Sequence, residues 1–170
     1  MPQIKITDSQ GLVQSTGAGV IVESKGLLCT TQEDKTIAVT VDTDYNGSIT
    51  LPAGAMIEDV AIICTDSLQT ANTSNDDEIE FRMGTNSNGS GQEIIALTEI
   101  VERHKVIPVG AVTSVKNASL LLAGCVAPAF VAGAPLYSST ARTIYYRYRV
   151  DNTALVAAGA LKLVLTYSVI

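Results

Sequence analysis

A proline–glycine turn that opens straight into a β-branched apolar run constrains this chain more than any other feature. It reads Leu51-Pro52-Ala53-Gly54-Ala55-Met56-Ile57-Glu58-Asp59-Val60-Ala61-Ile62-Ile63-Cys64-Thr65. Proline fixes φ and glycine admits a left-handed turn, so the backbone direction is set just before extended residues begin. The same grammar returns as Ala158-Gly159-Ala160-Leu161-Lys162-Leu163-Val164-Leu165-Thr166-Tyr167. Turns followed by apolar strands are how a sandwich of sheets is written.

Period-two alternation fills the chain between them. Over residues 35–41, Ile37, Val39 and Val41 oppose Thr36, Ala38 and Thr40; over 78–83, Ile79, Phe81 and Met83 oppose Glu78, Glu80 and Arg82. In the last strand Leu161, Leu163, Leu165, Tyr167 and Val169 oppose Lys162, Val164, Thr166 and Ser168. Half-buried strands produce this pattern. Residues 60–64 are apolar on both faces, as a central strand is. Further strands are predicted at 48–51, 93–96, 115–123 and 143–150. Turn signals separate them, among them Asn46-Gly47, Pro52 with Gly54, Asn88-Gly89, Pro108 with Gly110, Gly133 with Pro135, and Gly159. Residues 94–104 place Ile94, Leu97, Ile100 and Val101 at helical spacing, and a short helix or an extended segment both fit. Seven to nine short strands give an all-β fold, a two-sheet antiparallel sandwich of jelly-roll or Greek-key type over residues 35–170. Residues 1–34, with Gly11, Gly17, Gly19 and Gly26, form an N-terminal arm or the first strands.

Composition narrows the function. At 170 residues the chain suffices for one domain with a proper core. Aromatics make up 5% and Trp is absent, so the core rests on aliphatic residues. A net charge of −6 with few Lys and Arg argues against nucleic acid, whose binding needs basic residues to displace counterions. The uncharged stretch 117–141 is broken by Gly124, Pro128, Gly133 and Pro135, and falls short of the roughly 20 residues a spanning helix needs. No membrane partner is expected. Cys29, Cys64 and Cys125 are odd in number and lack C-x-x-C spacing, which predicts free thiols. With no signal-like apolar segment at the start, folding in a reducing cytoplasm is expected, and the N-x-S/T triplets at Asn46, Asn72, Asn88 and Asn117 are read as composition.

Residues that carry chemistry are sparse. His104 is the single histidine and lies between Arg103 and Lys105, a poor setting for a metal ion. The loop Gly84-Thr85-Asn86-Ser87-Asn88-Gly89-Ser90-Gly91 lacks the lysine of a phosphate cradle and reads as a flexible hairpin loop. Asp76, Asp77, Glu78 and Glu80, with Asn72 and Asn75 nearby, are the nearest approach to a calcium site, although EF-hand spacing is missing. The expectation is a protein that is not an enzyme, with no catalytic residue, metal or cofactor. Two segments are candidate interfaces instead. In Tyr145-Tyr146-Arg147-Tyr148-Arg149, one strand face carries Tyr145, Arg147 and Arg149, able to meet an acidic partner or subunit. The apolar loop 124–136 offers Phe130 and Leu136 as anchors.

Three units together resemble a known layout: Leu51-Pro52-Ala53-Gly54-Ala55, Phe81-Arg82-Met83-Gly84-Thr85-Asn86-Ser87-Asn88-Gly89, and the terminal unit from Ala158 to Tyr167. Over about residues 35–170 the chain resembles small virion proteins of tailed bacteriophages, the capsid decoration (cement) and head-fibre types. The resemblance implies a β-sandwich that oligomerises, as a homotrimer, on the outer capsid surface and binds the major capsid protein there, with no catalytic residues. The alternative it leaves open is a head-fibre or tail module that recognises host surface glycan.

Overall fold

The computed structural model describes residues 28–38, 40, 42–70, 78–101, 106–116, 126–151 and 154–170. Within them ten strands follow one another: β1 (Leu28–Ile37), β2 (Thr43–Leu51), β3 (Ala55–Asp66), β4 (Leu68–Gln69), β5 (Glu78–Gly84), β6 (Ile95–Val101), β7 (Val106–Ile107), β8 (Val112–Ser114), β9 (Arg142–Asp151) and β10 (Gly159–Val169). One sheet has the order β1-β10-β3-β8 and the other β2-β9-β5-β6, while β4 and β7 form a small pair of their own. Every pairing is antiparallel. With the small pair set aside, the first strand pairs with the eighth, the second with the seventh, the third with the sixth and the fourth with the fifth. One long antiparallel ribbon folded over on itself gives that order, which is the jelly roll.

The Pro52–Gly54 turn is a junction of this ribbon. Gly54 has φ of 77°, and its N–H donates to the Ser138 carbonyl at 2.9 Å. Its own carbonyl accepts from the Ile170 N–H at 3.0 Å. A Cβ there would stand 2.9 Å from the Ile170 carbonyl oxygen, so both the conformation and the space call for glycine. Between the sheets one aliphatic core runs through Ile57, Val60, Ile62, Ile79, Met83, Leu161, Leu163 and Leu165. Phe81, Tyr146 and Tyr148 add an aromatic cluster, with Phe81 and Tyr148 centroids 5.1 Å apart and Tyr146 edge-on to Tyr148 at 5.6 Å.

Several expectations need correction. The predicted strand 35–41 is cut short: β1 ends at Ile37, and the chain turns through Asp42, whose φ is 54°. The Tyr45 hydroxyl holds that corner, accepting from the Ala38 N–H at 3.0 Å and donating to the Ala38 carbonyl at 3.3 Å. Since β1 starts at Leu28, the boundary drawn at residue 35 falls inside a strand, and residues 1–27 lie outside those described. Asn46-Gly47 is not a turn but the middle of β2, where Gly47 faces Tyr146 of β9. Of the two alternatives left open for residues 94–104, residues 95–101 take the extended one, as β6. Two register irregularities in the β5–β6 pairing break the period of two and imitate helical spacing, leaving Leu97 exposed. Of the strand predicted at 115–123, residues 117–123 lie outside the described ones; β8 ends just before it, at Ser114.

Candidate functional site

The outer face of β9 and its neighbours carries a lattice of charge. Strand alternation turns Tyr146 and Tyr148 into the core and leaves Tyr145, Arg147 and Arg149 on the opposite face, as the sequence pattern predicts. Arg149 reaches Asp42 at 2.6 Å, Asp151 at 3.2 Å and Asp44 at 3.4 Å. Arg147 reaches Asp44 at 3.1 Å and Glu80 at 3.8 Å. Burial alone would lower the Arg149 pKa, but the bonds to Asp42 and Asp151 outweigh it and the net shift is upward. Glu80 is raised instead, chiefly by burial and then by the Asp151 charge. Arg82, across from Arg147 in the register, is lowered by burial and by that like charge. The two arginines expected to meet an acidic partner are therefore met by carboxylates of their own sheet. What the lattice turns to water is mainly acid, with Asp42 the most open at 63%.

The apolar loop behaves differently from a free patch. Residues 126–131 run antiparallel along the outer edge of β6: the Val126 N–H donates to the Ile100 carbonyl at 3.2 Å and the Val131 N–H to the Ile94 carbonyl at 3.0 Å, with a bridge between Phe130 and Ile95. Residues 136–138 then lie along β3, where the Ile57 N–H donates to the Leu136 carbonyl at 2.9 Å and the Ser138 N–H to the Ala55 carbonyl at 3.2 Å. Since β10 occupies the other side of β3 here, this segment covers the edge that β8 covers further along. Phe130 and Leu136 are half-buried against the core of their own domain. Arg142, at the start of β9, donates from Nη1 to the Pro135 carbonyl and from Nη2 to the Leu136 carbonyl at 2.8 Å, clamping the loop onto the sandwich. The large apolar residues exposed at this loop are Tyr137 at 50% and Val126 at 37%. Phe130 and Leu136 thus sit on the loop, and Tyr145, Arg147 and Arg149 on the sheet face, as two separate sets.

The remaining sequence candidates are quickly placed. His104, Asp76, Asp77 and Cys125 lie outside the described residues, and Glu78 is described only as part of β5. Among the described residues no group of three or more His, Cys, Asp or Glu is arranged to hold a metal ion. Cys64 is buried, its thiol raised by desolvation and donating to the Asp66 carbonyl at 3.1 Å, and Cys29 is half-buried. Cys64 also lines a small apolar cavity of about 20 Å³ with Ile62, Ile100, Val101, Ile107 and Leu161, too small for more than about one water. The loop 84–91 is held by its own side chains. The Asn88 N–H bonds Asn86 Oδ1 at 3.3 Å, the Ser90 N–H bonds Asn88 Oδ1 at 2.8 Å, and Glu93 accepts from the Thr85 N–H at 3.1 Å.

Sequence reasoning missed a third polar feature. Asp59 accepts from Ser114 Oγ at 2.8 Å and from the Lys116 N–H at 3.1 Å. Beside it Glu58 pairs with Lys116 Nζ at 3.2 Å and accepts from Ser168 Oγ at 3.0 Å, and these bonds, the Lys116 one foremost, lower its pKa. Here the β3–β10 register slips, Thr166 lying opposite Asp59 and Tyr167 opposite Ile57, and the two successive polar residues Glu58-Asp59 in an apolar run were the available signal of that bulge.

No protein-family model matches the chain, and no curated protein matches it. Among solved structures, a chain of the cyanophage Pam1 capsid asymmetric unit is similar at 13% identity and a TM-score of 0.48, covering 96% of this chain and 97% of that one. A chain of the capsid of Ralstonia phage GP4 is similar at the same identity and TM-score, covering 88% of each.

Proposed function

We propose that this protein is a structural component of a phage virion that sits on the outer surface of the capsid, binds the major capsid protein as a homotrimer and stabilises contacts between capsomers. The observation that carries this reading is where the three resembling sequence units fall in one jelly roll. Leu51 to Ala55 forms the junction that joins β3, the clamped loop and Ile170; Phe81 to Gly89 is β5 with its internally bonded loop; Ala158 to Tyr167 forms most of β10, the strand between β1 and β3. The units that carry the resemblance are those that fix the architecture. A flank sealed by a clamped loop also suits a module that must keep its shape while its outer surfaces make contacts.

Purified protein added to undecorated shells should bind saturably, in a number that tracks the capsid lattice, and should raise the shells' resistance to heat. A failure to bind, together with native copies found only on the tail or at a few vertices, would exclude this reading and leave the fibre module that recognises host glycan.

A further inference from the structure

On the outer face of the β2-β9-β5-β6 sheet, Arg147 and Arg149 take the carboxylates of Asp42, Asp44, Glu80 and Asp151. Arg82 takes none of them. Strand alternation sets it on that face, because Phe81 and Met83 on either side of it are buried. The β5–β9 register places it directly across from Arg147, and like charges so placed repel. Its Nε is shut off from water and has no hydrogen-bond partner among the described residues. Burial and then the Arg147 charge lower its pKa, while Asp44 and Glu80 act on it only through their charge.

On the other side of Arg82 the β5–β6 register slips. Phe81 pairs with Thr98 and Met83 with Ile95, so Ala96 and Leu97 together stand opposite Arg82. Both are exposed, Leu97 at 43%. Regular alternation would have turned one of the two into the core. The bulge instead leaves a large apolar side chain open to water opposite an unpaired guanidinium.

We infer that Arg82 and Leu97 form a contact by which this protein grips its shell, the guanidinium receiving the carboxylate of an aspartate or glutamate of the shell protein. The inference rests on the capsid-surface reading and adds to it the residues that carry attachment. A guanidinium offers its N–H donors in a fixed fork that matches a carboxylate, and arginine beside an apolar anchor is a common centre of binding energy. A docked acid would also offset the repulsion between Arg82 and Arg147. A second copy of this chain is the poorer source of that acid. It would bring a net charge of −6 to a face that already holds Asp44, Glu80 and Glu99.

The test compares the full-length wild type with Arg82→Met, which removes the charge and keeps a long side chain. Affinity for undecorated shells should fall by about tenfold or more, as for an interface arginine that carries binding. Its dependence on salt should become shallower. The free variant should melt no lower than the wild type, because the charge removed is one that repels Arg147. Unchanged shell affinity overturns the inference. A lower melting temperature overturns it too, since Arg82 would then be supporting the fold. Leu97→Glu offers Arg82 a carboxylate from its own sheet and should weaken shell binding likewise; binding as tight as the wild type's overturns the inference. If the wild type itself does not bind shells, the capsid-surface reading has failed, and the inference falls with it. Analytical ultracentrifugation identifies the remaining source of acid: a smaller mass for Arg82→Met than for the wild type would assign the carboxylate to a second copy and overturn the shell contact.

Discussion

Gly47 shows how a single position sets the side of a sandwich. Asn-Gly usually marks a two-residue hairpin turn, because both residues tolerate positive φ. Here the glycine serves space instead: a Cβ would stand 2.3 Å from Cζ of Tyr146, directly across the β2–β9 pairing. Its missing side chain lets the phenol ring lie over β2 and bring its hydroxyl to the β1–β2 flank. Gly47→Ala should therefore destabilise the fold by about 1–3 kcal/mol, as overpacking of a filled core does. Chemical denaturation of Gly47→Ala, Tyr146→Leu and the double variant checks the cause. In the Tyr146→Leu background most of the alanine penalty should vanish, and an undiminished penalty would place it in the backbone rather than against the ring.

At the scale of elements, the loop between β8 and β9 does the work of two missing strands. It covers the free edge of β6 with residues 126–131 and of β3 with residues 136–138, and Arg142 fixes it by donating to two successive carbonyls. Burial lowers the Arg142 pKa, and among the described residues no carboxylate pairs with it, so its carbonyl bonds are what hold it. Hydrogen bonds from a charged donor contribute about 1.5–3 kcal/mol each. Arg142→Ala should release residues 134–138 first, seen as faster amide exchange at Ile57 and Ser138 while the β3–β10 amides keep their protection. Equal loss of protection at both places would mean that the arginine supports the whole fold. The apolar character of this loop was legible in sequence, as were the inward Tyr146 and Tyr148 and the outward Arg147 and Arg149, because period two is a local property of a strand. What the loop covers was not legible, since pairing of residue 130 with 95 or 137 with 56 depends on the folded ribbon and leaves no local pattern. The same holds for the candidate site. The arginines were visible, but their partners Asp42, in the turn before β2, and Asp44, in β2, lie about a hundred residues away in sequence. Glu33 and Lys35 share the phase of Ile37, yet a strand taken to start at residue 35 hides that they face inward.

For the whole molecule, the two flanks of the jelly roll are built differently: a clamped loop covers β6 and β3, and an inward Glu33–Lys35 ion pair lies on β1. That asymmetry bears on residues 1–27, which we propose act as an arm reaching a neighbouring subunit or the shell. Their glycines, with Val20-Ile21-Val22 and Leu27 as short apolar anchors, suit a segment that gains order on binding. The sandwich itself does not depend on them for its first strand, because β1 pairs with β10 along its full length, from Leu28 against Ser168 to Ile37 against Gly159. Removing residues 1–27 should accordingly leave a protein with unchanged β-rich circular dichroism and a cooperative thermal transition, while binding to undecorated shells falls away. A truncated chain that folds and still binds would assign attachment to the sandwich surfaces, where Tyr137 and the acidic face of β9 become the positions to vary. One that aggregates or loses its transition would instead make residues 1–27 part of the domain, continuing the sheet that begins at Leu28.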